Sequence, residues 1–215
     1  MRQLVLEYVF EGHKRGYNFT SSTQGFSDAT LNLIWRSAMP RGQGWGANGT
    51  YTGAKSLKCF SLADGRFAAS DVIVTDLRDE SGRGGIRRAV IDVLPESAFQ
   101  DYLRERLAAF SPVVHAAIAH KPSLWQRKQI FDRTLPKMGK DAQLVFTAPY
   151  QTPDGWQTVE ALVLKLILAP LSPLKRWGRV VPFTTLALDY RDESAVVVLP
   201  TDRAERLNGG LVVSL

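Results

Sequence analysis

The amino-acid sequence predicts an α+β fold, a mostly antiparallel sheet carrying an N-terminal hairpin, a capped helix and an inserted helical segment at about residues 95–138. Three observations lead there. Two β-branched and aromatic runs flank a polar turn at the N-terminus and deliver the chain to a helix start. Three further strand-like runs follow with connections too short for parallel crossovers. Phe99, Leu103, Leu107 and Phe110 then recur at spacings of four, four and three, the period of a helix face.

The elements follow in order. Leu4 to Phe10 and Tyr17 to Thr20 have strand composition, and Gly12 and Gly16 lie in the turn between them. Ser27 suits a helix N-cap, since its hydroxyl can accept a hydrogen bond from a first-turn N–H, and Asp28 complements the positive end of the helix dipole. Phe26 and Leu31 stand at the hydrophobic-staple positions. The helix is expected to reach about Ser37 and to bury Leu31, Ile34 and Trp35 or Ala38, ending before Pro40. Strands are expected over Leu57–Leu62, Phe67–Thr75 and Ile86–Leu94. Pro95 opens the first inserted helix, Ser111-Pro112 ends it, and a second runs from a Ser123 cap to just before Pro136. Strands are then expected near Gln143–Thr147 and Trp156–Leu168, joined by the turn Thr152-Pro153-Asp154-Gly155, and near Val180–Leu188 and Ala195–Leu199, with a helical turn around Leu174–Trp177.

At 215 residues, 45% hydrophobic and 22% charged, the chain can bury one substantial core, so residues 1–215 are read as a single domain. The apolar run Ala161–Leu171 is interrupted by Lys165 and is far short of the roughly 20 residues that span a bilayer. Met1-Arg2-Gln3 lacks the features of a secretory signal, and a cytoplasmic location without membrane contact is the expectation. Cys59 is the lone cysteine and reads as a small core side chain. The formal charge of +6 permits attraction to nucleic acid or to an acidic protein surface, and also lies in the range that keeps small domains dispersed.

Chemistry-bearing motifs are sparse. Gly49-Thr50-Tyr51-Thr52-Gly53-Ala54-Lys55-Ser56 imitates a phosphate loop, but Ala54 replaces the glycine before the lysine and the residues that follow are β-like, where a phosphate needs a helix N-terminus. Asp76, Asp79, Glu80 and Arg83 read as a solvated hairpin loop; His13, His115 and His120 lack metal-ligand spacing. No catalytic residue, metal site or cofactor is expected. Met39 to Gly53 holds Arg41, Trp45 and Tyr51 among five glycines, a composition that presents side chains for protein docking. Lys121 to Lys140 carries six basic residues, among them Arg127, Lys128, Arg133 and Lys137, against the single acidic Asp132, and is the candidate nucleic-acid segment.

Tyr8 to Asp28, with Gly12-His13 and Thr20-Ser21-Ser22, the Arg66-to-Arg88 hairpin with Asp79 and Gly82-Arg83-Gly84, and Arg179-Val180-Val181-Pro182-Phe183-Thr184-Thr185 together resemble the N-terminal module of the bacterial GTPase-associated protein family. The resemblance spans nearly the whole chain through short motifs, although the sequence stops at Leu215, short of the larger C-terminal regions often attached in that family. It implies an adaptor in a multi-protein bacterial conflict or signalling system encoded beside a GTPase, and carries over no catalytic residues. A non-enzymatic interaction module, with a GTPase or another subunit as partner, is therefore the expected function; a basic nucleic-acid-binding subunit is the alternative.

Overall fold

The computed structural model describes residues 2–10, 16–41, 51–120, 143–148, 155–169, 178–188, 192–201 and 212–214. Among them the fold is α+β. A mixed, mostly antiparallel sheet runs in the order β2-β1-β5-β4-β3-β7-β8-β6-β9, where β1 is Arg2–Val9, β2 Gly16–Phe19, β3 Lys55–Ser61, β4 Arg66–Val74, β5 Arg87–Pro95, β6 Leu144–Ala148, β7 Phe183–Thr184, β8 Val196–Pro200 and β9 Val212–Ser214. From β2 to β7 every pairing is antiparallel. From β7 onward β8, β6 and β9 pair in parallel.

The N-terminal half forms as its residues dictate. β1 and β2 pair with Leu6 opposite Phe19. Helix α1, Asp28–Ser37, starts where Ser27 accepts from the Thr30 N–H at 3.2 Å, a cap of the kind that contributes about 1 kcal/mol. Phe26 and Leu31 both pack on the cluster of Leu4, Leu6, Ile34, Ala38 and Ile91 that α1 closes against the sheet. Ala38 takes the inward place; Trp35 is half-exposed and its Nε1 donates to the Tyr17 carbonyl of the edge strand at 3.0 Å. That bond occupies an acceptor which an open edge would offer to another chain.

The other face is covered by α2, Phe99–Ala108, and by α4, Gly155–Leu168, on whose outer side α3, Pro112–His120, packs through Val114 and Ile118. Phe67, Phe99, Leu103, Phe146, Val163 and Phe183 form its core. Strand alternation sends Leu57 and Cys59 to this core and Phe60 to the one beneath α1.

Two expectations are corrected here and a third is extended. Trp156–Leu168 is a helix, not a strand. The 14 residues of α4 exceed an ordinary strand, and Val159 to Leu164 are buried at every successive position because α4 lies between α2, α3 and the sheet, so no polar stripe betrays the helical period. Ser111-Pro112 does follow the end of α2, but Pro112 also opens α3, since its missing N–H and fixed φ suit a first helical position. The strand expected over Val180–Leu188 contracts to Phe183–Thr184; beyond it the pairing continues irregularly, Thr185 N to the Leu57 carbonyl and Ala187 N to the Val198 carbonyl. β9 was not anticipated. The helix expected over 123–136, the turn at 152–154 and the one around 174–177 lie outside the described residues.

Candidate functional site

Arg41 stands where α1 gives way to the glycine-dense segment. Its backbone N–H donates to Asp192 Oδ2 at 3.0 Å and its carbonyl accepts from Leu188 N at 3.1 Å, while its half-exposed guanidinium pairs with the exposed Glu193. Asp192 is itself fixed. It is 2% exposed, and the same Oδ2 accepts from Lys58 Nζ at 2.9 Å. Oδ1 accepts from Ser194 N and Oγ at 3.1 and 2.7 Å and from Thr184 Oγ1 at 3.3 Å. Burial opposes its charge, but Lys58 and the converging donors outweigh that and hold its carboxyl below the usual range.

The segment's far end is anchored too. Gly53, at φ +81°, donates to the Val74 carbonyl at 2.8 Å and completes the turn in which Ala54 N donates to the Tyr51 carbonyl at 2.9 Å; a side chain there would be strained. Tyr51, expected at a protein interface, is 7% exposed and packs with Val74, Leu186 and Leu188, so its ring belongs to the core and offers little docking area. Trp45 lies outside the described residues, as do Arg127, Lys128, Arg133 and Lys137. Of the expected docking residues, the structure thus keeps Arg41 at the surface and buries Tyr51.

Lys55 and Ser56 open β3. A strand, not a helix N-terminus, follows the sequence that imitates a phosphate loop. In the hairpin loop the Asp79 carboxylate accepts from Ser81 N and Arg83 N at 2.9 Å each and pairs with Arg83 Nε at 2.7 Å; these bonds from Arg83 and Ser81 hold its carboxyl below the usual range.

A second polar site escaped the sequence reading. Arg106 of α2 reaches down to the sheet between two carboxylates. Nη1 donates to Asp71 Oδ2 at 2.8 Å, Nη2 pairs with Asp71 Oδ1, and Nε donates to Glu160 Oε1 of α4 at 2.5 Å. The paired guanidinium–carboxylate geometry is the strong form of this contact. Burial works against the charge on Arg106, but Glu160 and Asp71 outweigh it and keep the guanidinium ionised; burial also pushes the Glu160 carboxyl above its usual range, a rise that Arg106 limits without cancelling. Beside the triad lies a cavity of about 480 Å³ at the seam of α2, α4 and β3–β5. Lys55 Nζ stands over the Trp156 ring at 4.9 Å from its centroid on the cavity wall.

Two signals in the sequence mark this site. Asp71 breaks the inward set Phe67, Ala69, Ile73 of β4, and Glu160 breaks the apolar run that begins at Val159. Comparison with protein-family models, curated proteins and solved structures returns no match. No group of metal-ligating side chains occurs among the described residues, and no helix among them is long and apolar enough to cross a membrane.

Proposed function

We propose that this chain is a non-catalytic adaptor, a protein-interaction subunit of a bacterial GTPase-linked conflict or signalling system, and that it docks its partner through the segment that Arg41 opens and Trp45 occupies. The observation that carries the reading is the anchoring of that segment at both ends. Arg41 is bonded to a buried, five-donor carboxylate on one side, and Gly53 and Tyr51 are tied to β4 and its core on the other. Arg41, with its backbone held this way, has less conformational entropy left to lose on docking. Arg41 keeps its guanidinium half-exposed there, and Arg and Trp are favoured interface anchors.

The test is the affinity between this chain and the GTPase encoded beside it, or the subunit that copurifies with it from the native host. Trp45→Ala should weaken binding by about 2 kcal/mol with little change in melting temperature, and Arg41→Ala should weaken it less. A Trp45→Ala variant that melts lower but binds as before would make Trp45 a core residue and end the proposal. So would tight nucleic-acid binding in about 150 mM salt that is lost on replacing Arg133 and Lys137 together, since that outcome assigns the chain to the basic segment and its counterion chemistry.

A further inference from the structure

The cavity beside Arg106 holds charges of unequal commitment. All three guanidinium nitrogens donate to carboxylates, both Asp71 oxygens accept, and Glu160 accepts at Oε1. Lys55 is different. Among the described residues it forms no ion pair with a carboxylate; its ammonium rests on the face of Trp156 and acts on the Glu160 carboxyl through its charge alone. The remaining wall is apolar, with Ile73, Val90 and Phe110 facing the same space. A cavity of this size, apolar over much of its wall with a few convergent polar groups, is the common form of a small-molecule site, for which volumes of roughly 300 to 1,000 Å³ are usual.

We propose that this cavity binds a small amphiphilic anion, a carboxylate or phosphate ester on a flat apolar body, with Lys55 receiving the anionic group and Trp156, Ile73, Val90 and Phe110 receiving the body. The triad's role is positional. Arg106 ties α2 to β4 and α4, so the walls are built before a ligand arrives, and little ordering is left to oppose binding. Lys55 is exposed and can swing from the Trp156 face to a ligand without leaving a buried group unpaired. This site lies on the helix-covered face of β3, and the Asp192 anchor of the adaptor segment on the other, so either proposal can fail alone.

Calorimetric titration with four probes tests it: 2-naphthoate, 2-naphthyl phosphate, 2-naphthylmethanol and 2-naphthylmethylammonium. One or both anions should bind saturably below about 1 mM, the alcohol and the ammonium at least about tenfold more weakly. The ratio of the two anions identifies which headgroup the site prefers. Lys55→Met should lose about tenfold for the better anion while melting as the unmodified chain does, and Lys55→Arg should recover most of the loss. Tighter binding of the ammonium probe, unchanged affinity in Lys55→Met, or no saturable heat with any probe would each overturn the proposal.

Discussion

Lys55 and Lys58 sit three residues apart on one strand, yet they live in opposite chemistries. Lys58 points beneath the α1-side face, is 3% exposed, and meets an aspartate whose other oxygen is filled by Ser194 and Thr184. Lys55 points to the face that α2 and α4 cover, at the open end of that cover, and meets an indole ring. Odd and even positions of β3 therefore face two sites. One is closed and saturated with donors; the other is a triad whose far side stays open to a cavity. The closed site fixes backbone, since Asp192 holds the Arg41 N–H. The open one joins elements, since Arg106 links a strand and two helices while leaving room beside it.

The difference is sharpest when charge is removed. Lys58→Met leaves Asp192 buried without its counter-charge, and a stranded buried charge costs about 3 to 5 kcal/mol. A large drop in the urea midpoint is expected, with the Lys58→Met/Asp192→Asn double variant recovering part of it because the stranded charge is removed, although the one amide oxygen can accept on the Arg41 side or the Ser194 side and not on both. Equal stability of Lys58→Met and the unmodified chain would mean that Asp192 is held by its hydroxyl and backbone donors alone.

Acid should separate the two sites by sign. Asp192 has a lowered carboxyl, so its contribution is complete above the unfolded value near pH 4 and is lost as pH falls through the lower folded value. Glu160 has a raised carboxyl, so its contribution is greatest below its unfolded value and is lost as pH rises through the folded one. Asp192→Asn should cost about 3 kcal/mol at pH 7, and the gap to the unmodified chain should close in strong acid. Glu160→Gln keeps an acceptor for Arg106 Nε and should cost only about 1 kcal/mol at pH 7, the gap widening as pH falls toward about 4. Urea midpoints measured from pH 7 downward check both slopes; parallel curves for the two variants would mean that the two sites respond to acid alike.

How much of this was legible in the residues follows from the range of each interaction. The hairpin, the Ser27 cap, the staple of Phe26 and Leu31, and β3 to β5 are local features, and composition and spacing report them. α4 was not legible as a helix because burial on nearly every side removes the polar stripe that marks the period. The triad was visible only as two anomalies, an acid at an inward strand position and an acid inside an apolar run. Its pairing spans 35 and 54 residues, which no local pattern encodes. The Lys58–Asp192 pair spans 134 residues, a separation that no local pattern encodes either. Arg41 was read from its loop context and is exposed; Tyr51 was read from the same context and is core, because composition separates a loop from a strand but not the loop's anchored ends from its middle.

The smallest expected effect concerns Ser70, which stands opposite Lys58 in the β3–β4 register and is fully buried. Among the described residues its Oγ has no hydrogen-bond partner, in contrast to the hydroxyls of Ser56, Thr184 and Ser194, each of which is bonded on the neighbouring strands or loops. The saturation that defines the closed site thus stops one strand short, at β4. A desolvated hydroxyl without a partner carries a cost that deletion removes, and the cavity left by one oxygen atom is small. Ser70→Ala should therefore change stability by no more than about 1 kcal/mol, and in the stabilising direction. Thr184→Val, which removes a bonded hydroxyl of comparable burial, should destabilise by about the same amount. A clear loss of stability in Ser70→Ala would show that its hydroxyl completes the polar shell of Lys58, and the boundary of the closed site would then move from β3 to β4.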